Sequence, residues 1–472
     1  LPWDDEALFM WPAISFWKHN SLYAPQICPG RELLWMPPVY MLLMGTLFKV
    51  TGFSLAMVRV TSMLFMLGAF ACLLAMAWQY GRRALSVVLI GLFLLTPYAV
   101  AAGNFARMEA LLILTVCAGF LLLSRGRLWY GMSVLAFSPL IHPNGLYFFL
   151  GGLGLCLYLL AYGRARWRPR KAELAVFGAV LAAWVAYGVH VLVHWEWFVL
   201  DMTFQFQRKG ERQFGYSIAG PRALSYLLLA GLCLLYCLAH DLRVGSLLML
   251  SIPAFVSEKV GQEIWYYVYT SLFFLCLSLV LIHVAWDMAE KAGPRGRRRL
   301  WSAVRYVAVV LVAFWLWRGE QVQLPWQVRR NMVWMGMPAS FGRPYLTDED
   351  ERVLRSFLAT LRGLREDGPV SVQFFPRADG LLLHEEDGPE LRLVCPYQHE
   401  GRADVYVVHD FPLMAPMMRE EMERVLREEA QIDVSDPSRL LHQRDGTDRW
   451  YYRIGSLDSQ PPPTGPATRS AP

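Results

Sequence analysis

The sequence predicts a mainly α, polytopic helical membrane protein that ends in a small soluble α/β domain. Three observations predict it. Of the 472 residues, 55% are hydrophobic and 18% charged, where an ordinary soluble domain carries roughly a quarter charged residues. Apolar runs such as "ALSVVLIGLFLLTPYAVAAG" and "ELAVFGAVLAAWVAYGVHVLVH" approach or exceed the roughly 20 residues that span a hydrocarbon core. After residue 340 the pattern changes to short alternating runs and one-sided helical periodicity, the mark of a water-soluble fold.

The elements follow in chain order. Residues 1–53 read as an external loop with juxtamembrane helices. "WDDEALFMWPAISFW" opens a helix on acids that suit the positive end of its dipole, and "PPVYMLLMGTLFKV" (37–50) is too short to cross, so it lies along the interface. A transmembrane domain occupies 54–318, with crossings at 55–79, 84–103, 107–124, 128–142, 145–162, 172–194, 222–239, 244–257, 264–286 and 300–317. The runs 128–142 and 244–257 are short and read either as spans or as a re-entrant pair.

The soluble domain covers 340–458. It has helices in "YLTDEDERVLRSFLATLRGLRE" and "MMREEMERVLREEA" and strands in "VSVQFF", "DVYVVHDF" and "RWYYRIGSL". The Pro-rich tail 459–472 has the composition of a disordered segment.

Charge orients the chain. The loops "YGRR", "SRGR", "GRARWRPRK", "HDLR" and "EKAGPRGRRR" fall on one face, which the positive-inside rule makes cytoplasmic. The net charge of +6 is thereby spent on topology, so the composition excludes a nucleic-acid partner and names membrane lipids instead. An external acidic opening demands a further helix upstream of it. Of the eight cysteines, six sit inside apolar runs as small hydrophobes, while Cys28 and Cys395 lie outside them as a candidate pair.

The same topology gathers Asp4, Asp5, Glu6, Arg107, Glu109, His142, Lys259 and Glu263 at the external helix ends. Ionisable groups are costly beside hydrocarbon, so their recurrence at one face marks a candidate site. Each has a plainer reading too. Asp4 or Asp5 caps a helix, His142 closes the Pro-Asn-Gly turn of "HPNG", and Lys259 extends from the interface into water. Capping needs one acid, and "DDE" supplies three. The aromatic run "WYYVY" (265–269) is an interface belt, and "FQFQRKGERQFGY" (204–216) either covers the site or binds headgroups.

The order "DDEALF", "PPVYMLL", "TGFSLAMVRVTSMLF", "GRRALSVVLIGLFLLTPYAVAAGNFARMEALLIL", "HPNG" and "YYVYTSLFF" resembles the GT-C class of polyprenyl-phosphate-sugar-dependent glycosyltransferases. Within that class it is most similar to the protein mannosyltransferase and aminoarabinose transferase group, over residues 1–290. The resemblance implies a GT-C-like fold in a bacterial cytoplasmic membrane, with active site and C-terminal domain extracytoplasmic. It also implies an inverting transfer of sugar from a polyprenyl-phosphate carrier to a lipid, glycan or protein acceptor.

On that resemblance Asp5 is the base, and Glu6 or Glu109 orients the acceptor or a divalent cation, for which Asp5 and Glu109 are the candidate ligands. Arg107, His142 and Lys259 meet the phosphate. Two departures stand out: Trp35-Met36 replaces the acidic-Lys pair before Pro-Pro, and Arg107-Met108-Glu109 replaces Arg-x-Asp. They leave two other readings open, a catalytically inactive structural subunit and a lipid-linked sugar transporter.

Overall fold

The structure, a computed structural model, describes residues 4–24, 31–78, 83–94, 96–161, 168–210, 221–240, 242–261 and 266–291, and the strands 370–375, 391–394, 405–410, 440–443 and 449–454. Some side chains within the helices lie outside this description, those of Asp4, Asp5, Glu6 and Lys259 among them. The chain divides into two units, Leu1–Leu346 and Thr347–Pro472. The described part is mainly helical.

The first unit holds α1 (Asp4–His19), α2 (Val39–Thr51), α3 (Leu55–Ala77), α4 (Arg83–Leu94), α5 (Pro97–Asn104), α6 (Glu109–Ser124) and α7 (Leu128–Phe137). It continues with α8 (Gly145–Ala161), α9 (Lys171–Val193), α10 (Trp195–Gly210), α11 (Pro221–His240), α12 (Leu242–Gly261) and α13 (Tyr267–Lys291). Two of these, α3 and α9, are long and apolar enough to cross a membrane by length and composition.

Helix α6 is the hub. It packs on α3, α7, α8 and α12, and its residues from Glu109 to Ile113, then Val116, Cys117, Phe120 and Leu123, are buried around its circumference, as expected of a helix apolar on all sides. Glycines let its neighbours close in. A Cβ on Gly119 would sit 2.6 Å from Leu135 Cγ, and one on Gly131 would sit 3.0 Å from the Gly119 carbonyl oxygen, so α6 and α7 touch backbone to backbone.

Outer faces show the reverse pattern. Val60, Met63, Leu64 and Leu67 of α3, and Leu146, Leu150, Leu153 and Leu157 of α8, are exposed at the spacing of one helix face. Helix α9 is barely covered, with Leu181, Val185, Val189 and Leu192 all exposed. It meets α7 through Trp184 Nε1, which donates to the Ala136 carbonyl at 2.8 Å. Its start is fixed by Glu173, whose carboxylate accepts the Arg170 N–H at 2.7 Å.

Several elements differ from the sequence expectation. The single crossing at 84–103 is two helices, α4 and α5. Thr96 stops the first by donating its hydroxyl to Phe93 O at 2.7 Å and caps the second by accepting the Ala99 N–H at 3.3 Å, with Pro97 at the favoured first helical position. Residues 195–210, expected in a loop, form α10, and α12 runs longer than 244–257. The expected crossing at 300–317 lies outside the described residues.

In the second unit five strands are described: β1 (Val370–Phe375), β2 (Leu391–Val394), β3 (Val405–Asp410), β4 (Leu440–Gln443) and β5 (Arg449–Ile454). Their order is β2-β1-β3-β5-β4. The first three run parallel and β5 is antiparallel to both neighbours, with Val405 opposite Ile454 and Asp410 opposite Arg449. The strands β1, β3 and β5 run where alternation placed them, while β2 and β4 were not expected. The helices expected at 345–366 and 417–430, the tail, Cys28 and Cys395 lie outside the described residues.

Candidate functional site

The site begins at the turn "NFARME". Helix α6 starts at Glu109, an acid in the first turn, where it complements the dipole. Arg107 lies two residues earlier and wraps back onto it. Its Nε donates to both Glu109 oxygens at 3.0 and 3.2 Å, and its Nη2 to Oε1 at 2.6 Å. The two side chains are only 4% and 2% exposed. A buried carboxylate facing a guanidinium fork is among the stronger pairings available to a protein.

Helix α1 closes over that pair. The Arg107 guanidinium carbon lies 5.5 Å from the centre of the Phe9 ring, a cation–π distance. Asp5 stands four residues before Phe9 on α1. The acid-bearing helix is therefore docked on the Arg107–Glu109 pair, one turn beyond Asp5.

The "HPNG" turn supplies the opposite wall. His142 is buried, and its Nδ1 accepts the Asn144 N–H at 3.0 Å. That bond places the neutral ring's proton on Nε2, which faces the Tyr266 hydroxyl at 3.3 Å. Gly145 N–H donates to His142 O at 2.8 Å, and the Ser138 hydroxyl donates to Gly145 O at 3.1 Å. His142 thus closes its turn and bridges to Tyr266. Tyr269 follows on α13 with its ring 5.7 Å from that of Tyr266.

Among the predicted residues, the structure pairs Arg107 with Glu109 beneath Phe9 of α1, the helix that begins with Asp4, Asp5 and Glu6, and buries His142 in its own turn against Tyr266. Glu6 is next to Asp5 in the first turn of α1, and Lys259 is near the end of α12; their side chains are outside the described residues. Sequence reasoning missed Phe9, Tyr266 and Tyr269 as individual contacts, because aromatic residues at a membrane face read as a belt.

It also missed a second polar cluster. Asp201 of α10 is buried, accepting Arg31 Nη1 at 2.6 Å and the Leu34 N–H at 2.7 Å. His190 meets Glu32 at 3.0 Å, and the Tyr187 hydroxyl donates to Leu34 O at 3.3 Å. Together they strap residues 31–34 onto α9 and α10. The signal was present: Asp201 is a lone acid in the apolar stretch "WFVLDMTF", and a buried acid requires a partner. A small cleft lies beside this strap, lined by Pro12, Met36, Met41 and Tyr187 among others and not by Arg107.

No group of three His, Cys, Asp or Glu side chains suited to a metal ion occurs among the described residues. The Glu109 carboxylate is paired with Arg107, and the side chain of Asp5, the other candidate ligand, lies outside the described residues.

Compared with family models, curated proteins and solved structures, the chain matches none.

Proposed function

We propose that the protein is a GT-C-like, inverting, multi-pass glycosyltransferase of the bacterial cytoplasmic membrane. On this reading it moves a sugar from a polyprenyl phosphate to a lipid, glycan or protein acceptor on the outer face, and the second unit is an extracytoplasmic α/β domain. Membrane residence is supported by outward apolar stripes on α3, α8, α9 and α11, where Leu228, Leu229, Leu232 and Leu235 are exposed. Such faces mark lipid or partner contact.

The observation that carries the reading is the convergence of residues far apart in sequence. The acid-bearing α1 covers the buried Arg107–Glu109 pair through Phe9. In the reaction Asp5 takes the proton of the acceptor as its oxygen attacks the anomeric carbon, and the sugar–phosphate bond breaks. The leaving phosphate carries off the electron pair of that bond, and Arg107 and Lys259 stabilise its charge. Arg107 does so as part of an ion pair, so Glu109 sets how much of its field the phosphate receives. The steps are derived without a metal.

The test is transfer from a radiolabelled polyprenyl-phosphate sugar pool in membranes. Asp5→Asn should lose about 10²–10⁴-fold in rate, whereas Asp4→Asn should be mild if Asp4 only caps, because Asn caps about as well as Asp. Wild-type turnover by Asp5→Asn at equal protein level would refute the base assignment.

One observation favours a second reading, an inactive structural subunit. Arg107 and Glu109 pair closely beneath Phe9, as an architectural pair would. Wild-type chain inactive with every donor would select it.

A further inference from the structure

The sheet of the second unit reverses its winding direction at β1. Strand β1 is flanked by β2 on one side and β3 on the other, all three parallel. The chain therefore steps one way from β1 to β2 and the other way from β2 past β1 to β3. Strand β4 lies farther on in that second direction and, being antiparallel to β5 as β3 is, runs parallel to β3. Connections between parallel strands are right-handed in nearly all proteins. That rule puts the β1–β2 connection on one face of the sheet and those leading to β3 and β4 on the other. The paths part between the carboxyl ends of β1 and β3, and open α/β sheets bind ligands in the crevice at such a switch point.

The register sets which residues stand there. Pairing of β1 with β3 ends at Phe375 opposite Val408, whereas β3 runs on to His409 and Asp410, opposite Trp450 and Arg449 of β5. Residues opposite each other, or two apart on one strand, share a face. Val408 is opposite both Phe375 and Tyr451, and Gln443 is opposite Tyr451. One face at this edge thus carries Asp410, Arg449, Gln443, Tyr451 and Phe375. At the other edge the five strands end in Val370, Leu391, Val405, Leu440 and Ile454, all aliphatic, so polar strand ends are confined to the carboxyl edge.

The residue types define a ligand class. A carboxylate accepts hydrogen bonds, a guanidinium donates them, and a carboxamide and a phenol do both, a set that matches the hydroxyls of a sugar. Aromatic rings, here Tyr451 and Phe375, match its apolar C–H faces. Asp410 and Arg449 are opposite charges at one register position, so these strand residues have no net charge with which to favour an anion.

We propose that the carboxyl edge of this sheet, where the switch point between β1 and β3 meets Asp410, Arg449, Gln443 and Tyr451 on one face, binds a neutral glycan. This rests on the glycosyl-transfer reading for its purpose and deepens it: the acceptor is a glycan, and the second unit recognises it.

The full chain would be placed in lipid nanodiscs free of glycoside detergent and titrated with mannotriose, cellotriose and chitotriose, with binding read by saturation-transfer NMR of the sugar protons. At least one trisaccharide should bind. Asp410→Asn and Gln443→Ala should each weaken it about three- to tenfold, the effect of one lost hydrogen bond. Arg453→Gln, on the same strand as Arg449 but opposite Tyr406 and Leu440, should bind as wild type does.

A wild-type chain that binds none of the three overturns the proposal, as does equal binding by Asp410→Asn and Gln443→Ala. A loss shared by Arg453→Gln overturns the assignment to this edge, and displacement of the trisaccharide by equimolar orthophosphate overturns the neutral class in favour of an anion. Edge-dependent binding in a chain without transfer activity would sink the transferase reading and leave this site standing, whereas an active transferase that binds no trisaccharide would sink this site alone.

Discussion

Replacing Glu109 by glutamine should destabilise the first unit severely. The Arg107 and Glu109 side chains are 4% and 2% exposed, with contacts of 2.6–3.2 Å. Water therefore cannot solvate the guanidinium once the carboxylate charge is gone. Breaking a buried pair by removing one partner costs roughly 3–5 kcal/mol, whereas exchanging both for apolar residues of similar volume is often neutral or stabilising. Glu109→Gln and Arg107→Met should each fall in that range, and the Arg107→Met/Glu109→Leu double variant should recover most of the loss. The implied coupling is about 3 kcal/mol or more. The assay is unfolding of the purified full chain in mixed micelles, followed by tryptophan fluorescence. Single variants within about 1 kcal/mol of wild type would refute the reasoning, since a pair worth so little would be solvated like a surface one.

Two further substitutions test the packing and the lipid face. Gly145→Ala puts a Cβ 2.3 Å from Ser138 backbone and should abolish folded yield, while Gly178→Ala on α9, with nothing within 4 Å, should gain roughly 0.5–1 kcal/mol; equal thermal stability of the two variants would contradict the turn geometry. Leu181→Asp, on the exposed middle of α9, should disfavour insertion by about 2.5–3.5 kcal/mol if that face meets lipid, and unchanged recovery in the membrane fraction would remove α9 from that role.

Much of the helical order was legible because apolar runs and basic loops are long-range, low-resolution signals. The residues that meet at the site were less so. Arg107, Glu109 and His142 could be placed at one face by counting crossings, yet their mutual distances depend on α1, whose Phe9 reads as one more hydrophobe. The break at Thr96-Pro97 was visible in sequence, but the surrounding hydrophobicity favoured one continuous span. Asp201 was hidden for a different reason: its partners Arg31 and Leu34 lie about 170 residues upstream, and no local pattern reports a contact at that separation. In the second unit β2 and β4, four residues each, are too short for alternation to register.

The strap explains how the acids of α1 are held. Helices α1 and α2 run side by side in the same direction and are pinned along their length: Phe9 meets Tyr40 edge-on at 6.2 Å, a Cβ on Gly45 would lie 2.6 Å from the Ala13 carbonyl oxygen, and Lys49 donates to Asn20 Oδ1 at 2.5 Å. Asn20, in the left-handed conformation at φ 55°, ends α1 as helix C-termini commonly end. One side of this helix pair rests on Arg107 through Phe9. The strap Arg31–Leu34, just before α2, is tied to α9 and α10 by Asp201, His190 and Tyr187. Sliding α1 along α6 would therefore drag the strap off a buried carboxylate and leave it unpaired, a cost of the same kind as breaking Arg107–Glu109. The start of α1 is thus tied, through α2 and the strap, to α9 and α10.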